Sequence, residues 1–211
     1  MKKKKLKTII SVSLLLIIGL IIFINIPLKK RDYTYDPQKA IEYSYNYIDN
    51  RNPDFPNFEK NCVTFVSQCL LAGGIEMDER NIEPISKNKV LHTSNLWFCY
   101  SFDTNPYRPI SYYLSSSFSN NRYFLSYWKN VADVPCYTVE NTEEGRNTLK
   151  DSVKLGDVIL LRGDVPHCAI VVKIDEQDVY YNSNTNNRRE YPLSRVSESE
   201  YPKITYMNFV K

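Results

Sequence analysis

The longest uninterrupted hydrophobic segment lies at the start of the chain. Residues 8–28 carry no charged side chain and are rich in Ile and Leu, with five lysines before them and three basic residues after them. About 20 apolar residues span a bilayer as a helix, whereas the apolar part of a cleavable signal peptide has about 7–15. The pattern predicts a transmembrane signal anchor over 8–28, between a basic cytoplasmic tail at 1–7 and a linker at 29–34.

The orientation of this predicted anchor follows from the distribution of lysine. More positive charges precede the span than follow it, which directs the N-terminus to the cytoplasm. The residues directly after the span, 25–31, contain no small-x-small cleavage site. We therefore expect a single-pass protein of the cell membrane with its domain outside the cell, and secretion after signal cleavage is the alternative.

Beyond residue 35 the hydrophobic pattern acquires a helical period. Asp36 is a preferred N-cap and Pro37 is tolerated at the first helical position, so a helix is expected from there to about Asp49. A second helix is predicted to begin at Cys62, with apolar residues at i, i+3, i+4, i+7 and i+8 forming one buried stripe. Its stripe consists of Cys62, Phe65, Val66, Cys69 and Leu70, and Gly73-Gly74 ends it.

The C-terminal third changes to the pattern of β-strands. Apolar runs at 158–161, 167–174 and 179–183 are separated by turn residues, and a last strand is expected at 204–210. The middle of the chain, 75–147, shows little periodicity apart from a helix at 119–128. Long loops of this kind usually form the walls of a binding cleft. Two helices followed by an antiparallel sheet make the fold class α+β, in one domain at 35–211.

Charge and cysteine content narrow the function classes. Without the five N-terminal lysines and the three basic residues at 29–31, 19 basic side chains face 24 acidic ones, a net charge of −5. No basic stripe could follow a phosphate backbone, so nucleic acid is not an expected partner. The five cysteines include no CxxC pair, which argues against a zinc ribbon, and we expect no metal and no cofactor.

The candidate chemistry is centred on Cys62. The first turn of a helix stabilises a thiolate, which is the nucleophilic form of cysteine. Of the two histidines, His92 lies in the irregular region, whereas His167 begins a predicted strand. An imidazole facing a helix-borne thiol can take its proton and later give it to the leaving group. Asn182, or Asn184 one alternation further on, is the candidate acceptor that would orient His167.

A structural use of Cys62 is a competing interpretation. Cys62 and Cys69 are about 10 Å apart along one helix, which is too far for a disulfide, so Cys69 is expected in the core. A bridge from Cys62 to Cys168 remains possible on distance alone. Alternation along the strand turns Cys168 away from the face of His167, which makes that bridge awkward if His167 faces the cleft.

These motifs together resemble a known family. The chain reads Tyr35-Asp-Pro-Gln-Lys-Ala40, then Asn61-Cys-Val-Thr-Phe-Val-Ser-Gln-Cys69 ending in Ala72-Gly-Gly74, and later His167-Cys-Ala-Ile-Val-Val172. This order is similar to the bacterial Putative amidase domain family over about residues 35–194. The family is grouped with papain-like folds such as CHAP and NlpC-type domains.

The resemblance implies a fold, a site and an activity. The implied fold is papain-like, with N-terminal helices packed on a C-terminal antiparallel sheet. Cys62 and His167 match the family's cysteine and strand histidine. Gln68 matches the helix motif and, with Asn61, which stands where the family commonly has Asp, could support them. Asn182 stands where many members have histidine, and its amide could still orient the imidazole.

The expected activity is hydrolysis of amide bonds through a thioester on Cys62. The expected partner is an amide or peptide substrate, with peptidoglycan of the cell wall as the candidate, and the oligomeric state is open. The alternative is a catalytically degenerate papain-like domain that acts as a binding or structural module at the cell surface, because Asn61 and Val63-Thr64 depart from the family's usual residues.

Overall fold

A computed structural model describes residues 32–78, 89–102 and 111–211. The predicted tail and signal anchor, and the first half of the linker, lie outside these residues. Within the described ranges no helix is both long enough and apolar enough to cross a bilayer.

The two predicted N-terminal helices are present. Helix α1 spans Pro37–Tyr47 and helix α2 spans Cys62–Ala72. Asp36 caps α1, because its carboxylate accepts hydrogen bonds from the first free backbone N–H groups of that helix. The chain leaves α2 through Gly74, whose φ of 93° is strained for residues other than glycine. The sequence signals for both helices are therefore confirmed.

The middle of the chain forms a small sheet and two helices. The sheet has the order β1-β3-β2, and β1 runs parallel to β3. Helix α4 confirms the helix expected near 119–128, whereas the three short strands stand where loops were expected. The elements are β1 (Lys89–Leu91), β2 (Cys99–Phe102), β3 (Ser111–Ser115), α3 (Ser116–Ser119) and α4 (Asn121–Asn130).

Helix α2 is buried on every side rather than along one stripe. All nine residues from Cys62 to Leu70 are buried. The prediction of a single apolar face was too narrow, because α1, α3 and the main sheet surround this helix. Polar side chains on α2 therefore need partners inside the protein.

The C-terminal part forms a six-stranded antiparallel sheet in the order β4-β9-β5-β6-β7-β8. Helices and antiparallel sheet confirm the α+β class. The predicted strands correspond to β5, β6, β7 and β9, while β4, β8 and the intervening helix α5 were not predicted. The elements are β4 (Cys136–Glu140), α5 (Glu143–Lys150), β5 (Val158–Arg162), β6 (His167–Ile174), β7 (Val179–Ser183), β8 (Arg188–Pro192), a 3-10 turn (Leu193–Arg195) and β9 (Lys203–Met207).

Both faces of the central strands are buried. Cys168 and Ile170 of β6 belong to the core shared with α1 and α2. Ala169 and Val171 belong to a second core on the opposite face, which α5 helps to cover. Because successive side chains alternate between faces, His167 and Cys168 leave β6 on opposite sides.

Candidate active site

The Cys62 thiol lies at the first turn of α2 and is surrounded by hydrogen-bond donors. The backbone N–H groups of Cys62, Val63 and Cys168 are directed at it. The Asn121 amide of α4 also contacts it, with 3.9 Å between Nδ2 and Sγ. The residue is 6% exposed, so access of a reactant to the thiol is restricted.

The sheet provides space for this thiol where two strands separate. Pairing between β6 and β7 begins at Ile170 and Asn182, and the Val171 N–H points away from β7 to the Asp157 carbonyl. The N–H of Cys168 therefore points to the side of β7. It lies two residues before Ile170, where the pairing of β6 with β7 begins. There it contacts the Cys62 thiol instead of a strand carbonyl.

Burial outweighs the donors in setting the protonation state of the thiol. Desolvation raises the pKa of Cys62, and the hydrogen bonds from Cys168 N–H and the Asn121 amide act in the opposite direction without reversing it. The start of α2 therefore does not by itself bring the pKa of this thiol below its usual value. This direction of the pKa shift favours the neutral thiol near neutral pH.

The His167 imidazole is buried and held by a serine. Its Nε2 lies 2.8 Å from the Ser183 hydroxyl oxygen. Burial, and to a smaller extent the positive charge of Arg188, lowers the pKa of His167 to about 4. Within the described residues no hydrogen bond joins this imidazole to the Cys62 thiol, although Cys168, whose N–H contacts the thiol, directly follows it in the chain.

Among the described residues, the Asn182 amide is hydrogen-bonded to α1 and β8 rather than to His167. Its Nδ2 donates to the Ser44 hydroxyl of α1 at 2.9 Å, and its Oδ1 accepts from the Glu190 N–H at 2.8 Å. The β6–β7 register pairs Asn182 with Ile170, on the face opposite His167. Ser183, one residue on, therefore has the contact that Asn182 was expected to make.

The turn after β7 holds the residue that precedes the nucleophile. The Thr185 hydroxyl accepts a hydrogen bond from the Asn61 N–H at 3.0 Å. Thr185 has a φ of 87°, an uncommon backbone conformation for a β-branched residue that often marks functional sites. The predicted candidate Asn184 lies beside it, buried, with its Oδ1 accepting from the Thr185 N–H. This turn thus fixes the entry into α2.

Two amide oxygens at the site are buried without a hydrogen-bond partner among the described residues. They are Oδ1 of Asn61, which directly precedes the thiol, and Oδ1 of Asn121, whose Nδ2 contacts it. Most buried polar atoms in proteins have a partner. Both oxygens are closed to solvent in the structure, so a ligand that brings N–H or O–H groups could pair with them only where the site opens.

The remaining predicted residues lie elsewhere. Gln68 accepts a hydrogen bond from the Tyr43 hydroxyl at 2.8 Å, and Asn52 donates to that same hydroxyl at 2.8 Å. This places Gln68 in a contact between α1 and α2 rather than at the thiol. His92 is exposed and its Nδ1 lies 3.2 Å from the Ser116 hydroxyl.

All five cysteines are free thiols, so the alternative disulfide between Cys62 and Cys168 is not formed. Burial raises the pKa of Cys168 well above its usual value. Across 32–78, 89–102 and 111–211 no three His, Cys, Asp or Glu side chains are grouped as metal ligands.

Sequence comparison now identifies the class of protein. The chain belongs to the Putative amidase domain family, whose profile matches residues 34–208 and so includes every residue of the site. The family description supports hydrolysis of amides as the general chemistry.

Individual relatives add little to this assignment. One segment is 45% identical over 47 residues to the uncharacterized protein YhbB of Bacillus subtilis (strain 168). That alignment covers 22% of this chain and 15% of the length of the relative. No solved structure matches the chain, so the papain-like description of the fold stays a prediction.

Proposed function

We propose that this protein is a cysteine amidase or peptidase in which Cys62 is the nucleophile. The observation that carries the proposal is the position of the thiol, at the start of a buried helix with donors on several sides, in a domain of the amidase family. A developing negative charge on sulfur or on a carbonyl oxygen would be stabilised at that position.

His167 is the proposed general base and then general acid. When the thiol attacks the carbonyl carbon, a C–S bond forms and the thiol proton moves to the imidazole. The imidazole then protonates the departing amine as the C–N bond breaks. Water, activated by the same imidazole, hydrolyses the thioester and releases the carboxylic acid. With Nε2 held by the Ser183 hydroxyl, Nδ1 would exchange protons with Cys62 after a rearrangement that brings the imidazole, which leaves β6 on the face opposite Cys168, to the thiol.

Asn121 and the backbone supply the proposed oxyanion site. The Asn121 Nδ2 group and the backbone N–H of Cys62 both lie against the thiol, where the carbonyl oxygen of a bound substrate would stand. The unpartnered Oδ1 atoms of Asn61 and Asn121 are acceptors for N–H groups of the substrate. In this proposal the Oδ1 atoms of Asn61 and Asn121 accept from the N–H of the substrate amide, and the Nδ2 group of Asn121 donates to its carbonyl oxygen.

The directions of the two pKa shifts favour one type of mechanism. Burial raises the pKa of Cys62 and lowers that of His167 to about 4, so both groups are neutral at rest near pH 7. Proton transfer then accompanies attack, in contrast to sites that hold a preformed thiolate and imidazolium pair.

The same protonation states also favour a second candidate, a binding module that retains the fold without turnover. A neutral thiol with no hydrogen bond to His167 is the specific observation in its support. Closure of the site around a substrate would be needed to bring Sγ and the imidazole together. Turnover measurements separate the two candidates.

The proposal also covers the location of the protein and the class of its substrate. A signal anchor at 8–28 would hold the domain outside the cell membrane, where peptides of the cell wall are the available class of amide. The support is the hydrophobic pattern and charge of the N-terminus.

The decisive experiment compares product formation by the full-length protein and by Cys62→Ala. Each is incubated with purified peptidoglycan and with a panel of small acyl amides, and released amines are measured. Cys69→Ala is the matched control, because Cys69 lies on the same helix and is fully buried. We expect product from the wild type and from Cys69→Ala only. Equal product from Cys62→Ala excludes the proposed nucleophile, and no product from any protein favours the binding module.

A further inference from the structure

We propose that a groove along α4, lined by Asn121 where that residue contacts Cys62, binds carboxylate side chains of an acidic peptide. The proposal deepens the proposed function, because it names the class of substrate presented to the thiol. Binding of the peptide is nevertheless measurable without turnover.

The groove adjoins the candidate active site through Asn121. It is a cavity of about 330 Å³ between α4 and the end of β5, and both Asn121 and Pro166 line it. The Asn121 amide donates to the Pro166 carbonyl at 3.1 Å and also contacts the Cys62 thiol. Two larger cavities, of about 510 and 500 Å³, include none of the predicted site residues. The α4 groove is thus the described cavity that adjoins the nucleophile.

Its charge is positive and uncompensated. Arg122, Lys129 and Arg162 line the groove, and no acidic residue does. Among the described residues none of these three forms an ion pair, whereas other basic residues of the domain do, such as Lys203 with Glu140 at 3.0 Å. Three unpaired cations around one concave surface attract anions, in a domain that is acidic overall.

The distance along α4 from Asn121 to Lys129 fits an extended peptide. Asn121, Leu125 and Lys129 recur at i, i+4 and i+8, so they lie on one face of α4. Eight residues of helix rise about 12 Å. An extended chain covers the same distance in about four residues. Carboxylates within about four residues of the scissile amide would therefore reach the cations.

The floor of the groove suits the rest of an acidic side chain. Leu125, Leu160 and Pro166 supply apolar surface between the charges. Methylene groups of glutamate can pack on such surface while the carboxylate meets a guanidinium or ammonium group. Arginine, present here twice, binds carboxylates through two parallel N–H donors.

The test measures binding to full-length Cys62→Ala by fluorescence anisotropy. Two dye-labelled tetrapeptides are compared, one with glutamate at its second and fourth positions and one with glutamine there. We expect the glutamate peptide to bind at least about tenfold more tightly at low salt, a preference of about 1.4 kcal/mol, and to lose that preference at about 1 M salt.

Two variants of equal charge change locate the site. The triple change Arg122→Gln, Lys129→Gln and Arg162→Gln should abolish the preference for glutamate. The control triple, Lys39→Gln, Lys173→Gln and Lys203→Gln, removes three exposed charges outside the groove and should retain it.

Any of three results would overturn the proposal. They are equal affinity for the two peptides, no measurable binding of the glutamate peptide at millimolar concentration, and loss of the glutamate preference in the control triple. These results are independent of the proposed nucleophile, because the protein tested lacks the thiol. Conversely, the wild type could prefer the glutamate peptide in binding and hydrolyse no amide. That result would contradict the proposed reaction but not the proposed peptide-binding groove.

Discussion

Two groups of buried polar side chains around α2 differ in how completely they are satisfied. At the first turn of α2, two residues each keep an amide oxygen without a hydrogen-bond partner: Asn61, directly before that helix, and Asn121 of α4, which packs against it. Along the side that faces α1, by contrast, Gln68 is joined to Tyr43, and Asn182 uses both ends of its amide. We call the first pair the first-turn group and the second set, Tyr43, Gln68, Asn52, Ser44 and Asn182, the bracing network.

The difference separates function from stability. An unsatisfied buried acceptor costs about 1–3 kcal/mol, a cost that a ligand can offset. A satisfied network holds helices and strands together and offers little to a ligand. Substitutions in the first-turn group should therefore reduce activity with little change in stability, and substitutions in the bracing network should do the reverse.

The largest effect is expected for Asn121→Ala. Loss of one donor to a developing oxyanion lowers kcat by about 10²–10³. Steady-state rates on an amide that the wild type hydrolyses would measure it. Asn120→Ala is the matched control, since Asn120 caps α4 by accepting from the Arg122 N–H and does not contact the thiol. If Asn121→Ala retained the wild-type kcat, Asn121 would not be a donor of the proposed oxyanion site.

The second effect is a dependence of the free energy of unfolding on pH, caused by the titration of His167. Its folded pKa of about 4 lies below the ordinary value of 6.5, so the unfolded chain takes up the proton first as the pH falls. Stability present above pH 6.5 is lost between 6.5 and 4, by about 3 kcal/mol at pH 4.

Urea unfolding at pH 7.5 and pH 4 measures this loss. His167→Gln should show a pH-dependent decrease smaller by about that amount. His92→Gln, at an exposed histidine, is the control and should behave as the wild type does. An unchanged decrease in His167→Gln would mean that His167 is not kept neutral by burial.

A third, comparable effect concerns the bracing network. Asn182→Ala leaves the Glu190 N–H and the Ser44 hydroxyl without their partner, which should lower the free energy of unfolding by about 1–3 kcal/mol. Activity per folded molecule should change little. A large loss of kcat without a loss of stability would instead favour the catalytic role predicted for Asn182.

The smallest effect is expected at Ser183. Ser183→Ala removes the hydroxyl at His167 Nε2 and should lower kcat by about tenfold or less, in keeping with a single neutral hydrogen bond. Ser183→Thr retains a hydroxyl and should recover most of the rate. Failure of threonine to recover any activity would argue against a positioning role for the hydroxyl.

Much of the fold was accessible from local pattern. Asp36-Pro37, the stripe after Cys62 and the apolar runs of β5 to β7 predicted those elements because capping, helical period and β-branched runs are local signals. The short strands of the middle region carry little alternation, and β8 contains the polar residues Arg188 and Glu190, so no local signal marked them.

The site was predicted only in part, for a reason of register. Which residue of β7 faces His167 depends on how β7 pairs with β6, and both faces of these strands are buried, so hydrophobicity does not fix the pairing. The choice of Asn182 rested on amide chemistry, and the register gives Ser183. Asn121 approaches Cys62 through tertiary packing of α4, for which the sequence offered no signal.

The most direct test of the account is detection of the acyl-enzyme. The full-length protein is mixed with a hydrolysable peptide amide, quenched with acid within the first turnover, digested and analysed by mass spectrometry. We predict an acyl group on Cys62 and on none of the other four cysteines, and its absence in Cys62→Ala. An acyl group on another residue, or amide hydrolysis by Cys62→Ala at the wild-type rate, would contradict Cys62 as the nucleophile.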